Sequence, residues 1–190
     1  VVAKRLRCAT LFVLALLPTG THTPVAAAGE APTGARTEAR LLIDTAYYPA
    51  LLGKIRRAQK SIDLAMYLWK TTAASENKPG ELVRALGEAR RRGVLVRVLL
   101  ETSAYDEALN LANHETAAQL AHEGITAYFD SPTVTTHAKL AVIDQRFCLV
   151  GSHNLTQSAL GRNHEISVLL DNPGLAGELS RYMDSLAGTP

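Results

Sequence analysis

Between residues 40 and 130 the chain switches repeatedly between two hydrophobic periods, and few folds can accommodate that pattern. The runs RLLID, SIDLAMYLW, VLVRVLLE and ITAYFD are alternating or continuously apolar, as strands are. Between them lie longer stretches with apolar residues at helical spacing. In YYPALLGKIRRAQKS, Leu51, Ile55 and Ala58 share one face, and Lys54, Arg57 and Lys60 the other. In ELVRALGEARRRG, Leu82 and Leu86 point inward and Gly93 stops the helix. Its Arg90, Arg91 and Arg92 read as a solvated helix end that complements the dipole. A longer helical region begins near Tyr105 and ends at Gly124. Beyond residue 130, TTHAKLAVID and RFCLVGS flank a short connection at Asp144-Gln145-Arg146 and read as a hairpin. ISVLL is a further strand, and NPGLAGELSRYMDSLAG a closing helix. Strands alternating with helices and then feeding a hairpin predict an α/β sandwich: a mixed β-sheet flanked by helices on both faces.

The hairpin region also concentrates the chemistry. On a strand, side chains two apart share a face, so His137 and Lys139 point the same way, about 7 Å apart for a rise of roughly 3.3 Å per residue. Asp144 has the opposite parity, which suits a structural, hydrogen-bonding role near the strand end. The hairpin would return Gly151 and Ser152 towards His137. Gly151 permits a close backbone approach to a ligand or an unusual φ. Asn154 precedes LTQSAL, a candidate helical turn at which an anion would meet backbone N–H groups and the Asn154 amide. Glu165 opens the next strand near the same rim. Tyr67 and Trp69 share a parity that could bring both to that rim, with core packing the other reading for Tyr67. A nucleophile or acid–base, a fixed cation, amide and hydroxyl donors and a carboxylate are what a site needs to attack phosphate without a metal. His137, His153, His164 and Glu165 are metal-ligand types. They lack compact ligand spacing, and Lys139 would repel a cation, so no metal or other cofactor is expected.

The pattern HxKxxxxD followed by GSxN resembles the signature of the phospholipase D superfamily. It is carried by His137, Lys139 and Asp144, then Gly151, Ser152 and Asn154, with Glu165 as the downstream acid. The likeness runs from about residue 40 to the C-terminus. In length, and in having one motif copy, the chain is most similar to the short secreted bacterial nucleases of that superfamily. The resemblance implies a homodimer that completes one active site from two chains. It implies that His137 of one subunit attacks phosphorus to give a phosphohistidine, and that His137 of the other protonates the leaving oxygen and then activates water. Lys139 and Asn154 would hold the non-bridging oxygens, Glu165 would accept from the ring N–H of the nucleophilic histidine, and Ser152 would donate nearby. His153 departs from the apolar or aromatic residue expected inside GSxN, and would line the groove and alter substrate choice.

The first 28 residues read as a secretory signal: a basic start at Lys4, Arg5 and Arg7, the apolar run ATLFVLALL, then small residues around VAAAG. Residues 29–39 read as a flexible lead-in and 40–190 as the catalytic domain, in a secreted or periplasmic protein. The leader holds three of the twenty basic residues, which leaves 17 basic against 18 acidic. The basic balance of the whole chain therefore says little about polyanion binding. Cys148 is then the only cysteine, in an apolar strand, and reads as a buried hydrophobe. Two substrates stay open, a nucleic acid and a phosphatidylcholine-like lipid. A near-neutral chain lacks the clustered charge of phosphate-tracking proteins, and no amphipathic membrane helix supports a lipid. A non-catalytic phosphate-binding module is the alternative from another class.

Overall fold

The computed structural model describes residues 37–74 and 76–186. The expected leader and the first part of the lead-in lie outside the described residues. The end of that lead-in is already strand: β1 (Glu38–Ile43) begins two residues earlier than the expected domain boundary. The order continues α1 (Tyr47–Arg57), β2 (Ser61–Met66), β3 (Trp69–Lys70), α2 (Lys78–Arg91), β4 (Leu95–Leu100), α3 (Glu107–His122) and β5 (Ala127–Phe129). Then come β6 (Lys139–Ile143), β7 (Phe147–Gly151), β8 (Leu155–Thr156), β9 (Ile166–Asp171) and α4 (Pro173–Leu186).

Seven strands form one mixed sheet in the order β1-β9-β7-β6-β2-β4-β5, with β2, β4 and β5 parallel and the other neighbours antiparallel. β3 and β8 form a separate parallel pair. The helices α1, α2 and α3 cover one face, packing Leu51, Ile55, Leu86 and Leu120 against Leu42, Leu64 and Val98 of the sheet. The helix α4 covers the other face, with Ala176 and Met183 against Val142 and Cys148. The mixed sheet with helices on both faces is thus the observed architecture. Local chemistry marks the helix ends. Asn77 accepts from the Gly80 N–H at 2.9 Å and Asp106 from the Leu109 N–H at 2.9 Å, each a side-chain N-cap. Gly93 and Gly124 end α2 and α3 at φ of 92° and 77°, a conformation that costs glycine little.

Two expectations are corrected. SIDLAMYLW is not one strand: β2 leaves the sheet after Met66, and the chain resumes as β3 at Trp69, paired with β8. The parity relating Tyr67 to Trp69 is lost at that break. Trp69 is fully buried, with its indole N–H donating to the Pro79 carbonyl at 3.2 Å, so it does not reach the site rim. LTQSAL, in turn, is strand before it turns: its single helical turn, closed by the Leu160 N–H donating to the Thr156 carbonyl at 3.0 Å, begins only at Thr156. Leu155 and Thr156 are strand β8, followed by hydrogen-bonded turns, and the Leu155 N–H is spent on the Leu68 carbonyl at 3.0 Å.

The hairpin between β6 and β7 turns through Asp144 and Gln145, both at positive φ (56° and 54°), the geometry whose twist matches the flanking strands. The Asp144 carboxylate accepts from three successive backbone amides, Gln59, Lys60 and Ser61, at 2.7 to 3.2 Å. One side chain thereby ties the exit of α1 to the hairpin. Gly151 has a different constraint from the one expected. Its φ is unexceptional, and the backbone of β9 approaches it closely. A Cβ there would lie 2.4 Å from the Ile166 carbonyl oxygen and 2.2 Å from the Ser167 hydroxyl. Cys148 is buried in the sheet with a free thiol whose pKa burial pushes up to about 11.

Removing the Asp144 carboxylate leaves amides without their acceptor and places an ordinary side chain at positive φ. Asp144→Ala should therefore cost about 2–4 kcal/mol in urea unfolding. Asp144→Asn, which keeps an acceptor and tolerates the turn, should cost less than half of that.

Candidate active site

The site lies at the end of the sheet where β6 begins. Register puts Lys139 beside Met66, and the Tyr67 N–H donates to the Ala138 carbonyl at 2.9 Å, so the end of β2 flanks the residues that lead into β6. On the other side Leu140 pairs with Val150, which sets the start of β6 against Gly151. Three strands thus converge on His137, Lys139, Gly151 and Ser152.

His137 sits just before β6 with an exposed ring, and neither ring nitrogen has a hydrogen-bond partner among the described residues. The ring is held by packing: its centroid is 4.4 Å from that of Tyr67, tilted by 59°. The desolvation this packing brings, and secondarily the Lys139 charge, lower the His137 pKa. Lys139 is 7% exposed. Its ammonium donates to the His137 carbonyl at 2.9 Å and stands 4.7 Å from the Tyr67 ring centroid. Burial lowers the Lys139 pKa, against the opposing pull of the Glu165 charge. Tyr67 therefore takes the rim position and touches both motif residues. Burial first, and nearby charges after it, raise its pKa, so the phenol stays protonated at neutral pH.

Glu165 and Ser152 form a linked pair. The Ser152 hydroxyl donates to Glu165 Oε2 and accepts from the Ile166 N–H at 3.1 Å, while Asn163 donates to Glu165 Oε1 at 3.2 Å. The Ser152 proton is therefore spent inside the chain rather than offered outward. Within one chain Glu165 makes no bond to the His137 ring, although a carboxylate has acceptor sites left for one. Asn154 is half-buried, and its side-chain oxygen is buried with no partner among the described residues.

His153 does not line a groove. It is fully buried and stacks on Tyr47, with centroids 4.3 Å apart and an 8° interplanar angle. Its Nε2 lies 2.9 Å from the Asp44 carbonyl, which can only accept, so Nε2 carries the proton. In the neutral ring Nδ1, 2.7 Å from the Ser167 hydroxyl, then accepts. His153 thus braces the turn after β1. Asp44 in that turn holds the Glu165 N–H at 2.9 Å, and this backbone bond is the main reason its carboxyl pKa is lowered. His164 is exposed and pairs with Asp44 at 3.2 Å. The four metal-ligand types are accordingly not gathered, and no cluster of three or more His, Cys, Asp or Glu able to hold a metal occurs among the described residues.

Sequence reasoning assigned no role to two buried polar residues beside the site. Glu101, at the end of β4, accepts from the Thr136 N–H at 2.6 Å. Asn113, on α3, donates to the carbonyls of Tyr67 and Glu101, both at 2.9 Å, and accepts from the Trp69 N–H at 2.9 Å. The signal that could have found Glu101 is its place at the carboxyl end of a parallel strand, where α/β sheets tend to carry function.

Comparison with known proteins bears on the family and the fold. The model of the family described as "Cardiolipin synthase, PLD-like domain" matches residues 51–187. Cardiolipin synthase A of Citrobacter koseri is 29% identical over 105 residues, which is 55% of this chain and 21% of that protein. The enzyme of the same name from Yersinia pseudotuberculosis is 27% identical over the same length. The chain thus spans about a fifth of the length of these relatives. In fold it is similar to Nuc, a phospholipase D family member from Salmonella typhimurium. That likeness has a TM-score of 0.66 and 24% identity, and covers 80% of this chain and 94% of that one. NucT from Helicobacter pylori superposes with a TM-score of 0.62 at 15% identity, covering 80% of this chain and 96% of the other. With the family match running from α1 to the last helix, this protein belongs to the phospholipase D superfamily, as a chain with a phospholipase D-like domain.

Proposed function

We propose that this protein is a metal-independent phosphodiesterase of the phospholipase D type, with His137 as its nucleophile. The observation that carries the reading is the juxtaposition of His137 and Lys139 around Tyr67, at a strand end to which Gly151 and Ser152 return. The neutral imidazole is the attacking form, and the lowered His137 pKa keeps it populated at neutral pH. Its ring nitrogen bonds to phosphorus as the phosphorus–oxygen bond to the leaving group breaks, giving a phosphohistidine that water then cleaves. Lys139 and the Asn154 amide stabilise the charge on the non-bridging oxygens.

Attack by one imidazole leaves the departing oxygen in need of a proton. The motif occurs once in the chain. We assign the acid to His137 of a second copy, so that the pair titrates as a coupled unit about a two-fold axis. An apolar strip on the sheet supports a partner there. Leu41, Ile43 and Ile166 lie on the face that α4 covers elsewhere, beside the strand end carrying Glu165, and are 62%, 53% and 59% exposed. A non-catalytic binding module has no use for an exposed nucleophile packed beside a fixed cation. The substrate is a phosphodiester of either a nucleic acid or a phospholipid. The resemblance to the short bacterial nucleases favours the first, and the sequence likeness to cardiolipin synthase A favours the second. Export through the first 28 residues, to the periplasm or outside the cell, completes the proposal.

Supplied with plasmid DNA, RNA and phosphatidylcholine side by side, the protein should turn over one class in the presence of EDTA. His137→Asn should lose activity by roughly 10³-fold or more while keeping its fold. Acid-labile phosphate should be trapped on His137; phosphoserine at Ser152, or activity restored only by a divalent metal, would overturn the mechanism. Sedimentation should give a dimer, and charged replacements at Leu41 and Ile43 should dissociate it with loss of turnover. By NMR the His137 ring should titrate below about 6.5. Lys139→Met should move that midpoint upward without restoring it fully, because desolvation is the larger cause and remains.

A further inference from the structure

We infer that Glu101 is a positioning residue for His137, holding the histidine-bearing loop from the end of β4 through the main chain of Thr136. The inference rests on the reading of His137 as nucleophile. Glu101 is 1% exposed, a depth at which a carboxyl group needs a reason to be kept. No lysine or arginine pairs with it among the described residues. One oxygen accepts from the Thr136 N–H at 2.6 Å, the short distance of a charge-assisted bond, and the other has no partner. Burial raises its pKa; the Thr136 N–H works against that rise and the Asp130 charge adds to it.

What this bond restrains is the irregular segment between β5 and β6, whose last three residues are Thr136, His137 and Ala138. Thr136 is itself buried and is gripped twice, by Glu101 at its N–H and by Asp130 at its hydroxyl. His137 follows directly, with no hydrogen bond to its ring. The ring's aim therefore depends on where its backbone sits and on the Tyr67 ring beside it. Both supports trace to Glu101. Its side chain holds Thr136, and its carbonyl shares the Asn113 amide with the carbonyl of Tyr67. A displacement of about 1 Å at a nucleophile can cost on the order of 10² in rate. A clamp one residue away is well placed to prevent it.

The test uses the full chain with bis(p-nitrophenyl) phosphate as substrate, and follows Thr136 amide exchange by NMR. Glu101→Leu removes the acceptor at similar volume. It should lower kcat by roughly 10²-fold with KM changed less than about 3-fold, and should speed Thr136 exchange by at least about 10-fold. Glu101→Gln restores a neutral acceptor and should bring both kcat and protection most of the way back. Should the leucine variant fail to fold, Glu101→Asp keeps the charge but falls one methylene short, and should show the same loss of kcat and of protection. A folded leucine or aspartate variant with wild-type kcat overturns the inference. So does a glutamine variant as slow as leucine whose Thr136 amide stays protected, since charge rather than the clamp would then be responsible. If the wild type does not cleave the diester at all, the functional reading fails, while the exchange data still decide whether Glu101 holds the loop.

Discussion

The antiparallel pairing of β6 with β2 on one side and β7 on the other is what the rest of the site depends on. Those two ladders decide which side chains meet. Met66 pairs with Lys139, which brings Tyr67 against the imidazole, and Leu140 pairs with Val150, which returns Gly151 and Ser152 to the same rim. A slip of one residue in either ladder would send Lys139 to the opposite face of the sheet. The register is pinned at the far end of the hairpin. There Asp144 and Gln145 take the positive-φ turn, and the Asp144 carboxylate locks onto three amides at the exit of α1. A motif residue set apart from the candidate site thus governs the geometry of those within it.

A second layer of buried polar groups supports the first. Asn113 ties the break between β2 and β3 to the end of β4, and Glu101 ties the end of β4 to the loop before β6. His153 performs the corresponding task on the other flank, fixing Asp44 and through it the start of β9 with Glu165. Each of these side chains is buried by more than nine-tenths. At such depth an unpaired polar group is costly, so the bonds they make are specific ones. The exposed ring of His137 is surrounded by anchored backbone but is not itself hydrogen-bonded. That suits the proposed nucleophile, whose remaining partners would come with substrate and, in the proposed dimer, from a second copy.

The overall electrostatics do not favour a polyanion, because the chain beyond its basic start has nearly balanced charge. What charge the site offers is instead local: a lysine desolvated against Tyr67, within reach of the Glu165 charge. A buried cation acts strongly at short range and weakly at long range, so in the proposed reaction Lys139 would recognise a phosphodiester already in place. Discrimination between substrate classes then falls to what surrounds the site rather than to net charge.

By itself the sequence determined the layered α/β architecture and the stretch in which the chemistry is concentrated. Hydrophobic period, helix caps and hairpin turns are local properties, and the two-residue spacing keeps His137 close to Lys139 even though His137 lies in the loop just before β6. Only the tertiary structure decided the roles of residues whose partners are distant in the chain. Trp69 went to the core because the strand breaks at Tyr67, where parity no longer applies. Ser152 donates its hydroxyl hydrogen bond to Glu165, and Gly151 is closely approached by β9. His153 turned inward onto Tyr47, more than one hundred residues away along the chain. Glu101 and Asn113 belong to no motif, and they matter because β4 ends beside a loop that sequence separation hides. Local periodicity cannot encode such meetings, since they exist only once the sheet has brought its strand ends together.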